Sequence, residues 1–300
     1  MHIPDGFLTN RIAVSFDAIS AAGVLYSAGR VKPEEAGRRV PMMGVLAAFV
    51  FAAQMLNFPI LGGTSGHLIG GALLGILLGP MAGFLTIATV VIAQALFLQD
   101  GGLIALGANI FNIAAVATFS GYAVFRLAGG ARSTGRRTAV AGFFAGWISL
   151  LLSAASCALQ MALSGALPLA VGLPAMVGYH AIIGVAEGGL TAGILAFLAR
   201  VRPDLLNSSS GTRLGAADWA GALVLVGIPA AVLVLAGGSH LPDPLQKLLA
   251  VDPAVEHAVG PQGSGSARLS GYLVRAVSFL FLIGAAYSGG RLARWRRGRQ

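Results

Sequence analysis

Residues 67–98 form one long stretch of the sequence that contains no Asp, Glu, Lys or Arg. A membrane-spanning helix needs about 20 apolar residues to cross a hydrocarbon core of about 30 Å. At about 1.5 Å per residue, a single helix over this stretch would be roughly 48 Å long. Gly79-Pro80 interrupts the stretch, and proline lacks an amide donor and disfavours a helical residue before it. We therefore predict two membrane segments that are separated at Gly79-Pro80.

The composition of the whole chain is also typical of a membrane protein. Hydrophobic residues make up 56% of its 300 residues. Charged residues make up 10%, whereas soluble domains carry roughly 25%. These values exclude an ordinary soluble protein, a disordered chain and a coiled coil. The single cysteine, Cys157, excludes an internal disulfide and a cysteine-rich metal site.

Stretches of suitable length and hydropathy predict nine membrane-spanning helices. The expected fold is an all-α, polytopic membrane helical bundle with a seven-span core and a two-span C-terminal part. The nine segments are residues 12–29, 42–58, 60–79, 81–98, 103–126, 139–165, 173–199, 218–237 and 270–290.

The positive charges predict the orientation of these helices. Sixteen of the 20 Lys and Arg residues lie in segments that nine spans place on one side: 30–41, 126–137, 200–213 and 291–299. Since Lys and Arg favour cytoplasmic loops, the N-terminus is expected outside. If the two segments around Gly79-Pro80 formed one span, alternate basic loops would lie on opposite sides of the membrane. The net charge of the chain is +9. The basic residues lie in short clusters without interleaved aromatic residues, which indicates contact with the membrane surface and no nucleic acid partner.

A change of composition after the seventh segment divides the chain. The second part has a long outside loop, 238–269, that contains His240 and His257. We interpret these histidines as loop residues, with metal transfer to a site further inward as the alternative. The predicted parts are a metal-capturing core over 1–201, a cytoplasmic linker over 202–216 and a two-span accessory part over 217–300.

The first two residues form a potential chelator. The basic and apolar regions of a signal peptide are missing from the start. The bulky His2 disfavours removal of the initiator Met, so we expect Met1 to remain. The Met1 amine, the amide nitrogen of His2 and an imidazole nitrogen of His2 can bind one metal ion in adjoining rings. The amide nitrogen must be deprotonated, so affinity is expected to rise with pH. Nitrogen donors in one plane suit Ni(II) and Cu(II), with a fourth position open.

His67 is the candidate for that fourth position. It follows the glycine-rich stretch 62–66 and is expected on the outer side, as are Met1 and His2. An ionisable residue at membrane depth indicates a functional site, and irregular backbone there must be buried or line a cavity. The alternative is a structural histidine that donates to a carbonyl. Together the three residues predict a metal site made of Met1, His2 and His67.

Other polar residues in the predicted spans suggest further roles. His180 and Glu187 are seven residues apart and share a helix face, so a proton relay and a structural role are both open. The chain has no Walker-type phosphate loop, His-Glu-x-x-His motif or Gly-x-Ser-x-Gly elbow, so we expect no enzyme. The remaining polar residues are expected to bridge helices or to orient the metal ligands: Gln54, Asn57, Gln94, Gln99, Asn109, Asn112 and Gln160.

Several motifs together resemble the CbiM/NikM substrate-capture components of energy-coupling-factor transporters for cobalt and nickel. Residues 217–290 resemble the two-span NikN/CbiN accessory subunit, although Pro244 replaces a glycine of its outside segment. The chain is therefore similar to a fusion of the two subunits. The motifs that carry the first resemblance are residues 1–8, 62–68, 94–103, 106–112 and 179–187.

The resemblance implies a multi-pass protein of the inner membrane that holds its ion with Met1, His2 and His67. It also implies a transmembrane coupling subunit and cytoplasmic ABC-type ATPases as partners. The transported ion is expected to be nickel, with cobalt as the alternative, and no organic cofactor is expected. Three rivals remain open: a proton-coupled permease with His180 and Glu187 as carriers, an intramembrane enzyme using Asp17 or His180, and a purely structural subunit.

Overall fold

The computed structural model describes most of the chain up to residue 206. The predicted spans 218–237 and 270–290 lie outside the described residues, together with His240 and His257. Most of the 202–216 linker and all of the accessory part also lie outside them. The described ranges are 1–31, 33–55, 58–60, 64–130 and 135–206.

Helices make up most of the described chain, which confirms the all-α prediction. Within the described residues, five helices are long and apolar enough to cross a membrane, as expected of a multi-pass membrane protein. The apolar part of α2, Val40–Met55, is shorter. The helices are α1 Asn10–Arg30, α2 Pro33–Met55, α3 Gly71–Leu78, α4 Pro80–Ala93, α5 Leu106–Asn109, α6 Ala117–Leu127, α7 Arg136–Leu163, α8 Leu169–Val201 and α9 Pro203–Leu206.

The region 60–79 differs from the single spanning helix that we predicted. Strand β1, Phe58–Ile60, pairs antiparallel with β2, Thr64–Gly66, and residues 67–70 form a loop before α3. With eight residues, α3 is roughly 12 Å long and too short to cross the membrane. The helix starts late because Gly70 precedes it with φ 76°, a left-handed conformation that glycine adopts easily.

The predicted break at Gly79-Pro80 is confirmed. Gly79 has φ 80° and ψ 162°, which no helical residue adopts, and Pro80 is the first residue of α4. Proline is well tolerated there because the first helical N–H has no partner within the helix. The glycine conformation therefore ends α3, and the proline starts α4.

Two helices contain wider π-helical turns that carry polar residues. Helix α4 continues as a π-turn over Gln94–Leu98, and a second π-turn, Ile110–Val116, joins α5 to α6. Asn112 in the second turn donates to Gln160 Oε1 of α7 at 2.8 Å and accepts from Ser156 Oγ at 2.7 Å. These buried amides bridge helices, as the sequence predicts.

Asp17 in α1 has a structural contact. Its Oδ1 accepts the Gly107 N–H at 2.8 Å, and Ser20 Oγ donates to the Gly107 carbonyl at 2.6 Å. A Cβ at position 107 would collide with Asp17, so glycine allows α1 and α5 to approach this closely. The carboxylate thereby holds two helices together, which gives it a role other than catalysis.

The core lies around α3 and the N-terminal segment. All eight residues of α3 are buried, and this helix packs against α4, α6 and α7. Helices α7 and α8 form an extensive antiparallel pair beside it. Both the short helix and the first three residues of the chain are therefore enclosed by the longer helices.

Candidate metal centre

The start of the chain folds into the bundle. Met1, His2 and Ile3 expose 1%, 6% and 0% of their surface. Ile3 N–H donates to Asn109 Oδ1 at 2.7 Å, and Asn109 Nδ2 donates to the Ile3 carbonyl at 3.0 Å. One buried amide side chain therefore satisfies both backbone groups of the residue that follows His2, as a neighbouring β-strand would.

A second set of contacts fixes the chain just after this point. The carboxylate of Asp5 accepts N–H groups from residues 103, 104 and 105 at 3.0, 2.8 and 3.2 Å. Gly102 N–H donates to the Ile3 carbonyl at 2.9 Å. Gly101, with φ 91°, would place a Cβ 3.3 Å from His2 Cβ. The sequence Gly101-Gly102 thus lets the N-terminal segment lie directly on the loop that precedes α5.

The structure brings the three predicted ligand residues together. The Met1 amine nitrogen lies 3.4 Å from His67 Nε2, and the rings of His2 and His67 stack with centroids 5.5 Å apart. Metal–imidazole bonds are about 2.0–2.1 Å long, so two nitrogens on one ion lie within about 4.2 Å of each other. The Met1–His67 separation satisfies this limit.

The two ring nitrogens of His67 have different partners. Its Nδ1 lies 3.1 Å from the Leu68 carbonyl, which fixes Nδ1 as the donor and leaves Nε2 as an acceptor towards Met1. His67 lies in the loop before α3, outside the spanning helices. Loss of water around the ring, with the nearby Met1 amine and His2, lowers the pKa of His67 to about 3. The ring is therefore neutral at pH 7, as metal binding requires.

A metal ion bound at this cluster would need backbone or terminal nitrogens among its ligands. Among the described residues, no group of three or more His, Cys, Asp or Glu side chains could hold a metal ion. The His2 ring instead contacts Asp100, whose Oδ1 lies 3.3 Å from His2 Nδ1, and Asp100 is 40% exposed. A cation that entered beside Asp100 would meet a negative charge next to the nitrogen cluster.

The other candidate residues lie on α8 with different partners. His180 Nδ1 bonds the Met176 carbonyl at 2.7 Å within the helix. Glu187 accepts the N–H groups of Ile69 and Gly70. The structure therefore connects Glu187 to the loop that carries His67.

Sequence reasoning missed the specific tethers of the N-terminal segment. Asn109 is among the polar residues expected to bridge helices or orient ligands, but its partner Ile3 is 106 residues away. The roles of Asp5 and Asp100 were not predicted. Their one local signal is that each aspartate precedes a glycine, in a segment where turns are expected.

The fold and this centre define a multi-pass membrane protein whose buried amino terminus meets a histidine-bearing loop. Residues 2–205 match the model of the CbiM family, described as the cobalt uptake substrate-specific transmembrane region. The chain belongs to this family.

Known relatives agree with this assignment. The fused nickel transport protein NikMN of Rhodobacter capsulatus is 37% identical over 222 residues, which cover 69% of this chain and 64% of that relative. LarMN of Lactiplantibacillus plantarum is 31% identical over 284 residues, which cover 88% of this chain and 84% of that relative. The crystal structure of a transition metal transporter has a TM-score of 0.61 and 31% identity, and covers 70% of this chain and 98% of its own.

Proposed function

We propose that this protein is the substrate-binding component of an ATP-driven energy-coupling-factor importer for nickel. It captures the ion at the extracellular side of the inner membrane with the Met1 amine, the amide and ring of His2, and the ring of His67. The single observation that carries the proposal is the 3.4 Å separation between the Met1 amine and His67 Nε2. Two segments that are distant in sequence have no structural need to bring these two nitrogens together.

The donor set favours nickel. Four nitrogens in one plane suit the square-planar preference of Ni(II), whereas the carboxylate and carbonyl oxygens preferred by Mg²⁺ or Ca²⁺ are missing from the proposed ligands. The nickel transport named for the R. capsulatus relative supports this choice. The family description names cobalt, which remains the alternative ion.

The proposed partners follow from what the chain does not encode. Its sequence has no phosphate-binding loop of the Walker type, which an ATP-hydrolysing subunit needs. A transmembrane coupling subunit and cytoplasmic ABC-type ATPases would supply the energy. The ion would then move inward when ATP hydrolysis changes the conformation of the complex.

The rival proton-coupled permease fits the geometry less well. Both carboxylate oxygens of Glu187 accept backbone N–H groups at 2.8 Å. Protonation in each transport cycle would weaken at least one of these bonds, because a protonated carboxyl oxygen is a poorer acceptor. Glu187 is therefore better suited to holding a loop than to moving protons.

Reconstitution in proteoliposomes tests the proposed function. We expect uptake of radioactive nickel only when the coupling subunit, the ATPases and internal ATP are all present, because this chain cannot hydrolyse ATP. A non-hydrolysable ATP analogue is the control. Nickel uptake by this chain alone, driven by a pH gradient, would establish the rival permease instead.

We further propose that residues 217–300 form an accessory part that serves transport and not binding. The LarMN match supports this division, since 88% of this chain has to include residues after 206. A chain that ends at residue 213 is expected to keep its nickel dissociation constant within about threefold but to lose uptake in the full complex. Calorimetric titration and vesicle uptake measure the two effects. Loss of binding in the shortened chain would contradict the division.

A further inference from the structure

The loop at residues 67–70 carries His67 but has no helix or strand to satisfy its backbone. Buried N–H and C=O groups need hydrogen-bond partners, because leaving one unpaired costs about 1–3 kcal/mol. Ile69 is 1% exposed, so water is not available to its backbone. The partners that the fold supplies therefore determine where this loop lies.

One carboxylate on α8 binds two consecutive N–H groups of the loop. Glu187 Oε2 accepts from Ile69 at 2.8 Å, and Oε1 accepts from Gly70 at 2.8 Å. Glu187 itself is 2% exposed. A side chain that accepts two consecutive N–H groups, one with each of its oxygens, fixes both the position and the orientation of this backbone segment.

The side chain of Gln54 binds the carbonyl group of Ile69. Gln54 Nε2 in α2 donates to the Ile69 carbonyl at 2.7 Å, and Gln54 Oε1 accepts from Gln94 Nε2 at 2.8 Å. Both polar backbone groups of Ile69 are thus held by side chains from separate helices. This arrangement mirrors the binding of Ile3 by Asn109.

The peptide group between Leu68 and Ile69 links Glu187 to His67. Its N–H, from Ile69, donates to Glu187, and its carbonyl, from Leu68, accepts from His67 Nδ1 at 3.1 Å. Metal-bound histidines usually donate their second ring N–H to a carboxylate or a carbonyl, which fixes the tautomer and raises ligand basicity. Here the ring donates to the carbonyl of a peptide group, and the N–H of the same peptide group donates to the carboxylate.

We propose that Glu187 is a positioning residue for His67 and acts through the Leu68–Ile69 peptide. The carboxylate orients this peptide and polarises it, so that its carbonyl strengthens the bond from Nδ1–H. His67 is then kept as the Nδ1–H tautomer with Nε2 directed at the Met1 amine. The expected effect on metal affinity rests on the proposed function. The expected effect on the His67 tautomer concerns the metal-free protein and does not depend on that function.

The substitution Glu187→Gln tests this relay with little change in size. A glutamine has one acceptor oxygen and an NH₂ group, so it cannot accept the Ile69 and Gly70 N–H groups with two separate oxygens as Glu187 does. We expect the nickel dissociation constant to rise about 10–100-fold, the effect typical of removing a group that supports a metal ligand. Thr191→Val is the matched control, because Thr191 is 2% exposed on the same helix one turn further and does not bond this loop.

A ring-nitrogen NMR measurement separates the relay from simple anchoring of the loop. The protein has five histidines, so selective ¹⁵N-histidine labelling with His67→Ala for assignment gives a readable spectrum. In the metal-free wild type we expect the Nδ1–H tautomer at His67, and in Glu187→Gln a shift of population towards Nε2–H. Gln54→Met removes the carbonyl partner of Ile69 and the acceptor of Gln94 Nε2 but leaves Glu187 in place, so it is expected to leave the His67 tautomer unchanged.

Each outcome decides the proposal. An Nε2–H tautomer in the wild type overturns it, even if Glu187→Gln fails to fold. Wild-type nickel affinity in a folded Glu187→Gln protein, or equal tautomer shifts in Gln54→Met, also overturns it. Failure of the wild type itself to bind nickel would refute the proposed function, whereas the tautomer measurement would still report on the relay.

Discussion

Extending the chain by Gly-Ser-Gly ahead of Met1 is expected to weaken nickel binding by more than about 100-fold. The extension moves the free amine out of the chelate ring, and Met1 is 1% exposed, so the added residues have no room beside it. Loss of a supporting group alone costs roughly 10–100-fold in metal affinity, and here a direct ligand is lost. Titration calorimetry and elemental analysis of the purified protein measure the effect.

The length of this extension matters. One added residue would place the histidine third, where the amine, two amide nitrogens and the ring can enclose Ni(II) without His67. With three added residues that alternative is not available. The control inserts one glycine after Gly165, an exposed turn residue with φ 73°. One tightly bound nickel per extended chain would show that the Met1 amine is not a ligand.

Replacing His67 with alanine is expected to raise the nickel dissociation constant by a similar factor of about 100. The first two residues keep three nitrogens, so weak binding should persist with water in the fourth position. The visible absorption band of planar Ni(II) is therefore expected to shift as well as weaken. Because residue 67 as a whole is half-buried and lies in a loop, the unfolding temperature of His67→Ala should fall by only about 2–4 °C, which corresponds to about 1 kcal/mol.

His180→Gln is the matched control for this experiment. His180 is also in the membrane domain and 3% exposed, but it bonds within α8. We expect this variant to bind nickel within about threefold of the wild type. If His180→Gln lost nickel and His67→Ala kept it, the ligand set proposed here would be wrong.

The helices of this protein follow directly from its sequence. In a bilayer every backbone group needs an internal partner, and a helix supplies these partners within its own segment, so a long apolar stretch favours a helix. This is why α7 and α8 agree with the predicted segments, and why Gly79-Pro80 separates α3 from α4 as expected. The residue types at positions 1, 2 and 67 likewise indicated a nitrogen-rich centre from chemistry alone.

Only the tertiary structure decided which side chains hold the non-helical segments in place. The Ile3–Asn109 and Ile69–Glu187 bonds join residues 106 and 118 positions apart, and no local pattern encodes such pairs. The same reason explains the wrong prediction over 60–79. An apolar, glycine-rich stretch can leave the helix when distant side chains satisfy its backbone, and here Glu187 and Gln54 do so. The sequence thus indicated which atoms could serve as metal ligands, and long-range packing determined that these atoms meet.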